Sequence, residues 1–442
     1  MRTVLKNRIA TIFIIGTALT TLTGCTQEEA GEFISDFIVS GLEYSTTLNQ
    51  SDPTDPSDQT DQAMQAVEEP EITGQSQSEP STTTSISLEE STSSQQDQTD
   101  QQSQQSQQAT PYEYYYNQLT DIQKNIYNQL YKTVETVSES TTISLNSVTQ
   151  DEISIIFRAL RYDHPEIYWI QAYKYIIDEK SDQLFFYPTY LVNAEEKSLY
   201  DEQLSAWTER ALSTVNSGMT QYEKEKAIYD FIVDNTEYNL DSELNQSLIS
   251  VVKGKSVCLG YTKAMKYICD KINIPCVIIE GTSKDGIAHS WNKVQINNDW
   301  YNVDATNSNT AQMFSNSYDM FNITDELISI QYTETQIGEE STSGESSIEF
   351  EYPIANSIEA DYYKMKGLYI NSLNEIETVV NNHIKEGTIT IRLSPECSMG
   401  DELKEHIKNL EITDSKGNTI NVKCLNYITI NYIRLIEINW TI

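Results

Sequence analysis

From about residue 111 onward the chain predicts an α+β fold, and three observations carry that prediction. Several segments open with a Thr three residues ahead of a Gln or Glu and continue with apolar residues at helical spacing. Between them lie short apolar runs with the length and alternation of strands. By contrast, the stretch from about 46 to 110 consists mostly of Ser, Thr, Gln, Asp, Glu and Pro, and has almost nothing to bury.

The N-terminus comes first. Arg2, Lys6 and Arg8 precede an apolar run over 9–22, and no acidic residue occurs before Glu28. A run of about 14 residues is short for a bilayer span and suits an export signal. It ends in Leu22-Thr23-Gly24-Cys25, which resembles the lipobox of bacterial lipoproteins. That resemblance implies cleavage before Cys25, acylation there, and anchoring on the outer face of the bacterial cytoplasmic membrane. Two or three acyl chains hold a protein at a bilayer stably where one does not. The alternative is an ordinary or uncleaved export signal that happens to hold a cysteine; it too places the rest of the chain outside the cytoplasm. Residues 29–45, with Phe33, Phe37, Ile38 and Leu42, are expected to form a short amphipathic helix. The polar stretch after it is expected to be a disordered tether with an end-to-end distance of about 45 Å. The expected order is thus a signal peptide (1–24) and a lipidated tether (25–110) ahead of the folded part.

Globular patterning follows. Thr120 with Gln123 opens a helix through Ile126, Leu130 and Val134; Thr149 with Glu152 opens another that stops before Pro165. Runs at 173–177 and 184–192 read as a strand pair, and 194–215 as a long polar-faced helix. Thr220 with Glu223 starts a helix through Ile228 and Ile232. Over about 250–304 a helix is followed by three strand-like runs, so 111–330 is expected to be one domain with its core near 220–310. Residues 331–358 are expected to be a linker or long loop, being rich in Gly, Ser and Glu over much of their length. The last part, 359–442, is expected to be a small α/β domain with a helix over 370–384, strand Thr388–Leu393, a helix over 401–410, and a strand pair near 411–414 and 419–433.

The formal charge is −37, and loss of the three cations of the signal peptide would take the mature chain to −40. So negative a chain excludes nucleic acid as a partner and anionic lipid as an electrostatic one. If Cys25 is acylated, Cys258, Cys269, Cys276, Cys397 and Cys424 remain, so at least one thiol is unpaired. A Cys397–Cys424 disulfide and buried free thiols are both open. The absence of any C-x-x-C pair and the scattering of the four histidines argue against a metal site.

Chemistry concentrates between 254 and 304. In Gly254-Lys255-Ser256-Val257-Cys258-Leu259-Gly260-Tyr261 the cysteine precedes an amphipathic helix carrying Ala264, Met265 and Ile268 on one stripe. At a helix start, unpaired N–H groups favour a thiolate and can bind an oxyanion. His289 lies in an alternating strand, and Trp300 to Asp304 forms the next one. If Asn297-Asn298 is a two-residue turn, 296 faces 299 and 291 faces 304, so His289 and Asp304 share a face diagonally. A three-residue turn would put them on opposite faces. Trp291, on the face of His289, either shields the site from water or is core packing.

The blocks Gly254 to Tyr261, Ile274-Pro275-Cys276-Val277 with Gly281, His289-Ser290-Trp291-Asn292, and Trp300-Tyr301-Asn302-Val303-Asp304 resemble the transglutaminase-like superfamily, in its bacterial exported branch. Asp163-His164-Pro165-Glu166-Ile167-Tyr168-Trp169 looks like the N-terminal extension of bacterial members. The resemblance implies a papain-like α+β core with a helical N-terminal extension. It also implies Cys258 as nucleophile, His289 as base and Asp304 as its orienter, acting at amide bonds without a cofactor. No Trp lies between Trp207 and Cys258 to serve as the oxyanion donor usual upstream of the cysteine; Tyr238 is the candidate, against a helix-terminal core aromatic. His164, His383 and His406 are expected to be structural or exposed.

Two functions follow from this reading. One is a cell-surface lipoprotein enzyme that forms a thioester from a protein or peptide amide and passes the acyl group to an amine or to water. The other is a non-catalytic envelope lipoprotein, either a scaffold that keeps the fold as a binding surface or a structural or adhesive protein whose small C-terminal domain binds a partner.

Overall fold

The computed structural model describes residues 112–441, apart from 179–180, 241–243, 245, 311–317, 338–347, 414–418, 421–423 and 431–432, together with short strands at Leu42–Ser45 and Thr73–Gly74. The expected signal peptide, Cys25 and nearly all of the tether lie outside the described residues. Leu42–Ser45 pairs with residues 427–430, so the last turn of the amphipathic helix expected over 29–45 is a strand instead. The alternation Leu42-Glu43-Tyr44-Ser45 has the period of two that this pairing needs. Thr73–Gly74, inside the expected tether, pairs with Lys174 and Tyr175.

Local chemistry starts each long helix. Helix α1 (Asp121–Glu135), α2 (Gln150–Asp163) and α4 (Gln221–Asn235) begin with the three expected capping boxes, on Thr120, Thr149 and Thr220. Helix α3 (Ala194–Leu212) uses the same device on Asn193 with Glu196. Each cap satisfies first-turn amides that the helix leaves without a partner, and contributes about 1 kcal/mol. Between these helices β1 (Thr141–Ser144), β2 (Ile170–Asp178) and β3 (Gln183–Tyr190) form an antiparallel sheet in the order β2-β3-β1.

The region expected to hold the site is a five-stranded antiparallel sheet. In chain order come β4 (Glu237–Tyr238), α5 (Leu248–Val252), β5 (Lys255–Ser256), α6 (Cys258–Lys271), β6 (Cys276–Ser283), β7 (Ala288–Ile296) and β8 (Asp299–Val303). Then follow α7 (Ala305–Thr310), β9 (Phe321–Ile323), α8 (Asp325–Ile328) and β10 (Tyr332–Thr335). The sheet order is β9-β8-β7-β6-β10. Cys276 to Ile279 are all buried, as a strand covered on both faces requires. The buried side chain of Asn292 donates to the carbonyls of Thr262 in α6 and Val277 in β6, so one residue ties helix to sheet.

Strand β10 falls inside the linker expected over 331–358, which is therefore not one loop. Tyr332, Ile337 and Phe350 are buried there, and the Lys293 ammonium binds Glu334 at 2.8 Å and the Pro353 carbonyl at 2.8 Å. A few well-spaced apolar residues anchor the segment, although its average composition is that of a loop.

The last part carries a second core built on Ile376, Val380, Ile391, Leu403, Ile407 and Ile438. Helix α9 (Tyr362–Met365) and β11 (Tyr369–Ile370) come first, then α10 (Glu375–Asn382), β12 (Thr388–Leu393), α11 (Asp401–Lys408), β13 (Cys424–Ile430) and β14 (Leu435–Thr441). The helix expected over 370–384 begins only at Glu375, because Ile370 is spent in β11 beside β12. The strand expected over 419–433 ends at Ile430; Arg434 turns the chain with φ 55° and the unexpected β14 pairs on both sides. Arg392 joins the two cores. Its fully buried guanidinium meets Asp361 at 3.1 Å and donates to the Asp319 carbonyl at 2.7 Å. Among the described residues no helix is long and apolar enough to cross a membrane.

Candidate active site

Cys258 is the first residue of α6, after an extended Val257 that supplies no side-chain cap. The first-turn amides are thus not engaged by a cap, which is the setting that favours a thiolate. Parallel pairing of β4 with β5 puts Tyr238 beside Ser256, two residues before the thiol. Gly254 starts this turn at φ 83°, a conformation that side chains disfavour.

The hairpin of β7 and β8 has the register on which the site depends. Asp299 pairs with Ile296 and Val303 with Asn292, and Asn297 and Asn298 have φ 52° and 74°, as a two-residue turn of this hand requires. Asp304 therefore falls on the face of His289. Its Oδ2 accepts a hydrogen bond from His289 Nε2 at 2.8 Å, and its Oδ1 accepts from the amides of Thr306 at 3.0 Å and Asn307 at 3.2 Å. The fully buried carboxylate thus caps α7 with one oxygen and orients the imidazole with the other. With Nε2 committed, Nδ1 is the ring nitrogen left for the Cys258 thiol, and the ring is near enough to influence its ionisation.

Electrostatics follow from this packing. Burial alone would push the Cys258 thiol up, but the hydrogen bond and charge of His289, then the hydroxyl and amide of Ser290, hold it below its ordinary value. Burial would likewise lower His289, yet the Asp304 charge and hydrogen bond, with Cys258, push it up to about 10. Between those two pKa values the favoured state is thiolate beside imidazolium. Tyr238 lies close enough that, after burial, the charges of Cys258 and Asp304 push its hydroxyl further above its ordinary value.

The remaining expected residues sort plainly. Trp291 is fully buried, with its indole N–H on Asn302 Oδ1 at 2.9 Å, so it packs as a wall behind His289, at 6.3 Å between rings. Cys258 alone is partly exposed among the described free thiols; Cys269, Cys276 and Cys397 are buried. The side chain of Cys424 is outside the described residues. His164 is structural, buried between Glu113 at 3.2 Å and Glu166 at 3.0 Å, and locks residue 113 to the extension. His383 is also held locally, its Nδ1 at 2.8 Å from the Val379 carbonyl. Two neighbours of the site escape the sequence reading: Ser290, whose signal is adjacency to His289, and Tyr332, 4.4 Å from the His289 ring. Tyr332 had no signal beyond being aromatic in a polar stretch. Among the described residues no group of three or more His, Cys, Asp and Glu side chains is placed to hold a metal ion.

Residues 208–305 match the model of the transglutaminase-like superfamily. Three solved structures are also similar. A TGase is 14% identical with a TM-score of 0.24, over 33% of this chain and 53% of its own. A candidate cysteine protease from Cytophaga hutchinsonii is 17% identical with a TM-score of 0.21, over 28% of this chain and 53% of its own. A candidate protease from Parabacteroides distasonis ATCC 8503 is 12% identical with a TM-score of 0.20, over 28% of this chain and 29% of its own. No curated protein matches the chain. Likenesses this slight bear no weight, and the chain spans about half the length of the first two structures or less of the third. The matched segment runs from the end of α3 to the residue after Asp304 and contains the whole Cys258, His289 and Asp304 cluster, so this α+β chain carries a transglutaminase-like domain over 208–305.

Proposed function

We propose that the chain is an exported, lipid-anchored thiol enzyme of the bacterial cell envelope, acting on protein or peptide amides through a thioester. One observation carries the reading: a buried carboxylate fixes the His289 ring at 2.8 Å, beside a helix-start thiol whose pKa that ring helps to hold down. The Cys258 thiolate attacks the amide carbonyl carbon, and the π electrons move onto the oxygen. That oxyanion is met by the Cys258 amide at the helix start, with the Tyr238 hydroxyl as the candidate second donor. His289 gives its proton to the leaving amine as the C–N bond breaks, which leaves a thioester and a neutral imidazole. An incoming amine or water then loses a proton to His289 as it attacks, and the thiolate departs. Asp304 orients the ring and balances its charge throughout. No step needs a cofactor. The expected anchor at Cys25 and the polar stretch after it would let the domain reach substrates away from the membrane.

Alkylation of the full chain with iodoacetamide across pH tests the site. Modification of Cys258 near about pH 6, abolished by His289→Ala, supports the enzyme; an ordinary thiol profile with a midpoint near about 8.5 refutes it and favours the scaffold. Incorporation of a fluorescent amine into a Gln-containing protein then separates transfer from hydrolysis. Loss of radiolabelled fatty acid in Cys25→Ser tests the anchor.

A further inference from the structure

Tyr332 arrives at the site from β10, on a segment whose composition reads as linker. Its ring lies 4.4 Å from the imidazole of His289, with planes 24° apart. Trp291 is 5.5 Å from Tyr332 at 23° and 6.3 Å from His289 at 21°, so the three rings are close to parallel. Strand register produces this layering. Tyr332 pairs with Ser283, while Gly281 pairs with both Glu334 and His289, which puts Tyr332, Gly281, His289 and Trp291 on one face. Gly281 makes the room: a Cβ there would collide with the Thr333 carbonyl and lie 2.7 Å from the Trp291 ring. A ring against the face of the imidazole leaves its edge, with both nitrogens, to Asp304 and Cys258.

We infer that Tyr332 is a positioning residue of the thiol site, holding the His289 imidazole in the plane that joins Asp304 to Cys258 and favouring its charged form through the aromatic face. The inference deepens the thiol-enzyme reading above and rests on it. A cation within about 6 Å of a ring centroid is attracted by the ring quadrupole, more strongly where water is excluded. Tyr332 is 7% exposed and the His289 side chain 14%. The groups facing the imidazole are Cys258 from α6, Asp304 after β8 and Tyr332 from β10, with Tyr238 from β4 facing Cys258 and Asp304 in turn.

The test is iodoacetamide alkylation of the full chain from about pH 4 to about pH 10, read at Cys258 by peptide mass spectrometry. Tyr332→Phe keeps the face and should reproduce the wild-type profile. Tyr332→Leu keeps bulk but no aromatic face, and should slow alkylation at low pH by roughly three- to thirtyfold, with the midpoint moved upward. A folded Tyr332→Leu protein with the wild-type profile overturns the inference. Should that variant not fold, nuclear magnetic resonance of the wild type decides. The ring protons of His289, assigned by their loss in His289→Gln, must be shifted upfield by the stacked rings; unshifted resonances overturn it. If wild-type Cys258 titrates as an ordinary thiol and His289→Gln changes nothing, the thiol-enzyme reading falls and takes this one with it. A flat response to Tyr332→Leu with an intact His289 dependence removes only the role of Tyr332.

Discussion

Replacing Asp304 by asparagine deletes one buried charge while keeping the size of the side chain. In the native protein Oδ1 accepts from two helix amides and Oδ2 accepts from His289 Nε2. An asparagine has a single oxygen. The helix amides can only donate, so that oxygen must stay with them, and the new NH2 then faces His289. Two donors cannot share that line, and the imidazole must give up its Nε2 proton. The neutral ring that results keeps its proton on Nδ1, toward Cys258, where the base is needed. A hydrogen bond to a charged group contributes about 1.5–3 kcal/mol, which at 1.36 kcal/mol per unit is about one to two pH units. The Asp304 charge is lost as well, so the His289 pKa, held up at about 10, should fall by at least that amount, and the midpoint for Cys258 alkylation should rise. The assay is the rate of iodoacetamide reaction against pH. Thermal denaturation runs beside it, because Asn caps a helix as well as Asp and the melting temperature should change little. An unchanged alkylation profile in a folded Asp304→Asn protein would refute the role of this carboxylate.

Three further outcomes follow from the packing. Gly281→Ala should destabilise the fold by about 1–3 kcal/mol or more, since the added methyl meets a backbone carbonyl that cannot move aside, and a melting temperature equal to wild type would count against the register described. Arg392→Ala should cost about 3–5 kcal/mol in urea unfolding, because it leaves the buried Asp361 carboxyl without its cation. Stability should also fall as pH rises. Burial pushes Asp163 up to about 6, Asp319 up to about 7 and Glu225 up to about 8. For His164 burial acts downward, but Glu113 and Glu166 outweigh it and push the group up to about 9. In each case the folded chain holds its proton to higher pH than the unfolded one. Their contribution is therefore greatest below the ordinary pKa values and is lost as pH climbs through the raised ones. The urea midpoint should decline from about pH 5 to about pH 9, and Glu225→Gln should flatten the part below about pH 8; a midpoint that rises over this range contradicts the burial of these groups.

Much of the candidate site is legible in the chain because its determinants are short-range. A capping box needs only residues three apart, so Thr120, Thr149 and Thr220 announce their helices. A two-residue Asn-Asn turn sets every pair of the hairpin after it, so the sequence reduces the placing of His289 and Asp304 on one face to a single turn length, which the register then supplies. Averages over a window mislead where a few residues do the anchoring. Tyr332, Ile337 and Phe350 are hidden in a polar stretch, and Leu435–Thr441 was obscured because nothing in the sequence marks Arg434 as a turn residue.

The α+β class, the helix starts and the helix-start position of Cys258 are legible because they rest on interactions a few residues long, and the pairing of His289 with Asp304 hung on the length of one turn. Long-range packing makes the outer strand β10 out of an apparent linker and lays Tyr332 over the imidazole. It also decided that Trp291 is a buried wall and that Arg392 bridges two cores. Those contacts join residues distant in the chain, and distance along the chain leaves no period, spacing or cap from which they can be read.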